Sequence, residues 1–462
     1  MKMQKALTQC VASALSASIA LSPLVSYATT LTDEPLATIN TVKPNLMFIL
    51  DNSGSMEWGS MTGYDATAQA GNSLRAYYSS AYNGVYYNPA TTYTLASNYD
   101  GTSMGNSNPT AAVNNPYLSG YGTRNLTATC FAQSTPILPF YGTPPSNSSS
   151  TTNCKSSSTL PNHTNEVNRY AFYYIWDGTT DIATSSPPNS AFPTRIDIRS
   201  STATYPKAAT RTDCGTGSTC TYAQEIQNFA NWWTYYRSRI LMTKTALGNV
   251  FGNVDPVTSP AIPPKFRVGF STINDNDGNV GNADGDNFIN IGDFDSAKKS
   301  AFYTELYSID PGGGTPLQKA LERAGNYYRN GSMGYSGGPA SVDPIQYSCQ
   351  QNFSILSTDG YWNSNTGSSG TTIGNHDRTV PTLPTDPATG SPAVISGLTA
   401  GSNWPAPFFE GPGIRSDAGT KANTVADVAM YYWVNDLRTG GAFALNNVPM
   451  DAADPAMWQH MT

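Results

Sequence analysis

Two short apolar runs, each ending at an aspartate, constrain this chain more than any other feature. Asn45 to Leu50 leads directly into Asp51, and Phe353 to Thr358 leads into Asp359. Runs of this length read as strands buried on both faces, as parallel strands of an α/β sheet do. In such sheets ligands gather beyond the carboxyl ends of the strands. Phe266 to Thr272 sets Phe266, Val268 and Phe270 on one face and reads as a further strand. Helical patterns alternate with the strands. Glu225 to Phe251 spaces Ile226, Phe229, Trp233, Tyr236, Ile240, Leu247 and Val250 at near-helical intervals, an aromatic stripe that reads as core packing. Pro316 opens a second helix with an apolar face of Leu317, Leu321, Ala324 and Tyr328. Thr424 to Leu437 is a third, with Val425, Val428, Ala429, Tyr432 and Trp433 inward. This alternation predicts an α/β fold. Long stretches rich in Tyr, Ser, Asn and Pro interrupt it, at about 57–221 and 361–423. Both directly follow an Asp-tipped strand, so both should emerge at the ligand-binding edge. Residues 329–350 follow a helix and should lie at the opposite edge.

Asp51-Asn52-Ser53-Gly54-Ser55 has the form Asp-x-Ser-x-Ser, a weak signal alone. It is joined by Gly312-Gly313-Gly314-Thr315-Pro316 and by Ser357-Thr358-Asp359-Gly360, all in predicted loops. The order and context resemble the metal-ion-dependent adhesion site of von Willebrand factor A domains. The resemblance implies a Rossmann-like open sheet flanked by helices, with the inserts on its metal-binding edge. It also implies one divalent cation held by the hydroxyls of Ser53, Ser55 and Thr315, with Asp51 and Asp359 acting directly or through water. Such oxygens suit Mg²⁺, Mn²⁺ or Ca²⁺. Neutral hydroxyls leave much of the cation's charge uncompensated, and the helix at Pro316 adds its positive end, so an acidic group on a ligand is favoured. Glu57 reads as a sixth ligand, an internal plug or, more simply, a solvated loop residue, and Trp58 as a rim or packing residue. A possible second calcium site has EF-hand-like spacing: Asn282, Asp284, Asp286, Asn290 and Asp293 occupy positions 1, 3, 5, 9 and 12. Asn287 stands where that loop wants Gly, and Asp293 where it wants Glu; ordinary hairpin turn residues are the competing reading.

The start of the chain reads as a secretory signal over residues 1–28: Lys2 and Lys5, an apolar run from Ala6 to Val25, and a small-x-small site ending at Ala28. A membrane anchor is the rival reading, weakened by Pro23 and the many Ala and Ser residues. After signal removal no segment looks able to span a bilayer. Residues 29–44 read as a linker and 45–462 as the A-type domain. Export implies oxidising conditions, so Cys214 with Cys220, and Cys130 with Cys154, are disulfide candidates, leaving Cys349 over. The formal charge of −7 and the lack of a basic block argue against nucleic acid as a partner.

More distinctive sequences lie elsewhere. They are Tyr87-Asn88-Pro89 with Tyr93, Asn228-Phe229-Ala230-Asn231-Trp232 with Tyr235-Tyr236-Arg237-Ser238-Arg239, Cys349-Gln350-Gln351-Asn352-Phe353 leading to Asp359-Gly360-Tyr361-Trp362, Ala426-Asp427-Val428-Ala429-Met430-Tyr431-Tyr432-Trp433, and Trp458-Gln459-His460-Met461. Together they resemble the PilC/PilY family of type IV pilus-tip adhesins from about Asn45 to the last residue. The resemblance implies an exported protein of the cell surface, pilus tip or outer membrane, with minor pilins or the pilus tip as partners. It also implies a host-cell or abiotic surface ligand and support of pilus biogenesis, attachment and twitching motility. Family members usually continue into a β-propeller with its own calcium loop, absent from this sequence, and the sheet is expected to lack one edge element. The rival function is an assembly or surface-sensing module that regulates pilus display. Catalysis is the weakest reading, since no His base, Ser-His pair or close carboxylate pair forms a recognised motif.

Overall fold

A computed structural model describes residues 42–61, 75–127, 171–184, 187–257, 263–274, 287–330, 343–360, 362, 373–374, 423–445, 447–448 and 458–462. The expected signal and most of the linker lie outside these residues. Val42–Thr462 forms one compact unit. At its centre is a four-stranded sheet in which β1 (Asn45–Leu50) lies between β8 (Arg267–Thr272) and β10 (Asn352–Leu356), parallel to both. β9 (Ile289–Asp293) closes one edge antiparallel to β8. The three apolar runs of the sequence are therefore three adjacent parallel strands. Next to β10, Thr462 donates its N–H to the Asn352 carbonyl (3.0 Å) and accepts from Ser354 N–H (2.8 Å), main-chain pairing in the parallel sense.

β1 shows why the sheet needs cover on both faces. Phe48 and Leu50 pack with Ile240, Leu241 and Phe251 of α2 (Arg239–Asn253) and with Phe302 and Leu306 of α3 (Ser296–Ser308). Met47 and Ile49 face the other way, toward Leu317, Leu321 and Tyr328 of α4 (Leu317–Tyr328) and Val428 and Tyr432 of α5 (Val425–Val434). This two-unit alternation produces a helix–sheet–helix sandwich. α5 starts at a capping box, in which the Thr424 side chain and Asp427 satisfy each other's main-chain N–H.

α2 and α3 brace each other. The buried Lys244 ammonium on α2 donates to the Tyr307 (2.9 Å) and Ile309 (2.5 Å) carbonyls at the end of α3. Lys299 on α3 donates to the Val254 (2.5 Å) and Asp255 (2.8 Å) carbonyls at the end of α2. Each lysine thus satisfies carbonyls that the other helix leaves without an intrahelical partner.

The single helix expected from Glu225 to Phe251 is two. α1 (Tyr222–Tyr235) ends at Tyr236 (φ −134°, ψ −7°), and the extended Ser238 precedes α2. The aromatic stripe passes through the break, but its halves serve different cores. Ile226, Phe229 and Trp233 pack into the insert, whereas Ile240 packs on the sheet. Val250, assigned to the stripe, is 59% exposed.

The described part of the first insert is a packed body built on α1. Its hairpins are β2–β3 (Ala112–Val113, Thr123–Arg124), β4–β5 (Phe172–Ile175, Thr194–Asp197) and β6–β7 (Thr204–Pro206, Thr219–Thr221). Tyr86, Tyr87, Tyr173 and Tyr205 close over Phe229, Trp232 and Trp233. Below this core the Arg211–Glu225 ion pair (2.9 Å) is fully buried, and Tyr87 donates to the same carboxylate (2.7 Å). Burial pushes the Glu225 carboxyl up, with Arg211 pulling against it. At the far end of the sheet the Pro344 carbonyl accepts from Asn45 (2.9 Å) and Arg267 (2.5 Å), so the described end of the 329–350 connection sits opposite Asp51.

Candidate metal site

The chain leaves β1 for β8 on one side and later returns to β10 on the other. The loops beyond the carboxyl end of β1 must diverge there, opening a crevice at a topological switch point. Asp51 stands at that point, fully buried. One carboxylate oxygen accepts the Ser53 N–H (2.8 Å) and the other the Thr358 hydroxyl (2.8 Å), which ties the β1 loop to the β10 loop. The Ser53 and Ser55 hydroxyls lie 3.0 Å apart.

The glycine loop docks on the same motif. Gly312 N–H donates to the Asn52 carbonyl (2.8 Å), and Gly54 N–H donates to the Gly313 carbonyl (3.2 Å). Gly313 has φ +77°, a left-handed conformation that suits glycine. Asn274, just past β8, clamps this junction: its main-chain N–H donates to the Asn52 side chain (2.9 Å), and its amide donates to the Gly312 (3.1 Å) and Gly314 (2.5 Å) carbonyls. Thr315, buried, then leads through Pro316 into α4. The structure thus brings the loops carrying Asp51, Ser53, Ser55, Thr315 and Asp359 to one place.

Asp359 makes a contact the sequence did not suggest. Its carboxylate forms an ion pair with Arg239, the first residue of α2, and each side chain is 6% exposed. The Arg239 guanidinium also donates to the Ser60 carbonyl (2.6 Å) and lies over the Trp58 ring (5.1 Å). Its main-chain N–H donates to the Trp58 carbonyl (2.9 Å). Trp58 is therefore a packing residue here. Arg239 lies in one of the distinctive sequences, but its 120-residue separation from Asp359 hides the pairing. Burial and the nearby Asp310 push the Glu57 carboxyl up.

The donor chemistry fits a hard cation. Among the described residues no group of three or more His, Cys, Asp or Glu could hold a metal ion. Any ion at this edge would therefore depend on hydroxyls beside two carboxylates, an all-oxygen set that suits Mg²⁺, Mn²⁺ or Ca²⁺. Of the second calcium candidate, Asn282, Asp284 and Asp286 lie outside the described residues. Asn290 and Asp293 are in β9, where the Asn290 side chain accepts from Tyr327 (3.1 Å) and Asp293 pairs with Lys43 (2.6 Å). Cys214 and Cys220 are joined as a disulfide, Cys349 is free, and Cys130 and Cys154 lie outside the described residues.

The distinctive sequences mostly build the frame. Asn228 accepts from Tyr93 N–H (3.0 Å) and donates to the Thr91 carbonyl (2.8 Å); Asn231 accepts from Ser107 N–H (3.0 Å); Trp232 donates to the Val85 carbonyl (2.9 Å). Each pins an insert loop to α1. Asn352 donates to Gln459 (2.8 Å), and Gln459 to the Tyr347 carbonyl (3.0 Å), which joins the last residues to β10. A cleft of about 490 Å³ beside α1 is lined by Tyr93, Asn106, Asp213, Gln227 and Asn231; the Gln227 amide donates to the Ser107 carbonyl (2.7 Å) and the Asn231 amide to the Asn106 side chain (3.0 Å).

No protein-family model matches the chain, and no solved structure matches it. Among described residues no helix is long and apolar enough to cross a membrane. The chain is 28% identical over 479 residues to the type IV pilus biogenesis factor PilY1 of Pseudomonas aeruginosa strain PAK, covering 98% of this chain and 34% of that protein. It is also 28% identical over 484 residues, with the same coverage, to the PilY1 of strain PAO1. The chain spans about a third of the length of these relatives. The similarity runs through the sequences that pin the insert to α1 and join the last residues to β10, and it supports the resemblance of this chain to the PilC/PilY family.

Proposed function

We propose that this chain is an exported component of type IV pili whose α/β core is a von Willebrand factor A-type domain. It holds one divalent cation through Asp51, Ser53, Ser55, Thr315 and Asp359, and binds an acidic group on a surface or protein ligand. It acts by binding rather than catalysis, at the pilus tip or cell surface, alongside minor pilins. In that setting it supports pilus biogenesis, attachment and twitching motility. The observation that carries the reading is the convergence on Asp51: three loops meet at the switch point of an open, mostly parallel sheet, held by Ser53, Thr358 and the Gly54–Gly313 contact. The pilus setting rests on the relatives, each named a pilus biogenesis factor. When bound, the cation would supply a Lewis-acidic position for a carboxylate. The chain's own part is to hold the oxygens in place.

The Ser53→Ala/Ser55→Ala double variant is expected to fold and to lose Mg²⁺ and Mn²⁺ binding in calorimetry; unchanged affinity would reject the site. A second reading, favoured by the buried Arg239–Asp359 pair, makes the domain a regulated assembly module. Normal attachment with lost pilus display in Asp51→Ala would select it. Loss of attachment with pili retained would select the adhesin.

A further inference from the structure

We propose that Arg239 sets the balance of this site, weakening its hold on the cation and strengthening the pull of the loaded site on an anionic ligand. The inference rests on the metal reading above. A guanidinium paired with one of the site's two carboxylates already occupies the place of a counter-charge. The pair is nearly dry, with each side chain 6% exposed, so its charges are poorly screened. A cation drawing on Asp359 must share that carboxylate with Arg239 or displace it.

Arg239 is held where it is. Its Nε donates to Ser60 (2.6 Å), its guanidinium lies over Trp58 (5.1 Å), and its main-chain N–H donates to Trp58 (2.9 Å). None of these anchors involves Asp359, so all can persist when the carboxylate turns toward a metal. In a loaded site, Asp51 and Asp359 would neutralise the dication, and Arg239 would leave one positive charge over. That surplus opposes metal entry and favours a carboxylate arriving afterwards. Arg239 is thus a specificity-determining residue with no contact to the ligand. It also heads α2 directly after α1, so a shift at Asp359 would be felt at the root of the insert.

The test measures Mn²⁺ binding to the wild-type chain, Arg239→Gln and Arg239→Lys by calorimetry, then acetate binding to each Mn²⁺-loaded protein. Arg239→Gln is expected to bind Mn²⁺ about tenfold tighter and acetate several-fold more weakly, whereas Arg239→Lys, which keeps the charge, stays near wild type. A merely structural role would weaken both, and a folded Arg239→Gln that binds Mn²⁺ no tighter than wild type overturns the inference. Should that variant not fold, the wild type still decides. The Arg239 Nε–H resonance is expected to move as Mg²⁺ saturates the site, and a resonance that stays put overturns the proposal. Failure of the wild type itself to bind Mn²⁺ would reject the metal reading, whereas binding without the Arg239 effect rejects this inference alone.

Discussion

Gly269→Ala should destabilise the sheet even though alanine can adopt the backbone. Gly269 lies in the middle of β8, where the pairing with β9 shifts register between Val268 and Phe270. A Cβ there would sit 2.7 Å from Ile291 Cγ1, 2.8 Å from the Ile289 carbonyl oxygen and 3.0 Å from Met47 Cε. Two of these neighbours are side chains in a close-packed core, and the third is the main chain of β9. Relief requires β9 to move by several tenths of an ångström. Overpacking of this kind costs about 1–3 kcal/mol. The entropic advantage of alanine over glycine returns roughly 0.5–1 kcal/mol, so a net loss of about 1–2 kcal/mol is expected. Urea unfolding followed by tryptophan fluorescence should show a lower midpoint with an unchanged slope. In an Ile291→Ala background, which removes the Cγ1 contact but leaves the Ile289 carbonyl, the cost of Gly269→Ala should fall by about 1 kcal/mol without vanishing. A Gly269→Ala variant as stable as wild type, or one equally costly in both backgrounds, would refute the reasoning.

The buried Lys244 predicts a pH effect. Burial pulls its ammonium down from 10.5 to about 7. Between those values the unfolded chain keeps a proton that the folded chain has shed, so stability should rise with pH from about 7 toward 9.5, by at most about 1.4 kcal/mol per pH unit. The neutral amine still has two N–H groups for Tyr307 and Ile309, and a Lys244→Met variant should flatten the slope in urea titrations at stepped pH. Reducing the Cys214–Cys220 bridge, which closes a loop of sequence separation 6, should cost about 2 kcal/mol. Cys214→Ser/Cys220→Ser should show the same loss, and wild type in reductant should melt with it.

The sheet was legible because β1, buried almost throughout, leaves a plain apolar mark, β8 places Val268 and Phe270 in alternation, and β10 reads as apolar although Ile355 is 47% exposed; the order of these runs along the chain put Asp51 and Asp359 at one edge. The chain of loops around Asp51 followed from that edge. The break at Tyr236–Ser238 left no mark, because helical spacing of apolar residues continues across it while the two halves face different partners. The insert body was equally hidden. Its hairpins are two to four residues long, too short for a period, and its core forms only when Tyr87, Tyr173 and Tyr205 meet Trp232 across long separations. Asn274 and Arg239 escaped notice for the same reason: their roles are contacts between loops, with no local pattern of their own.

The helix α1 carries a practical lesson for anyone redrawing this protein. A cut guided by the loop-rich composition would excise 57–221 and keep everything from Tyr222 onward. That cut would strip the cover from Phe229, Trp232 and Trp233, now almost wholly buried, and leave Glu225 without Arg211. An aromatic face of that size left in water invites aggregation. The exchangeable cassette therefore includes α1 and ends at the α1–α2 break, so that a graft or deletion joined near Trp58 and Arg239 would remove the insert with its own wall.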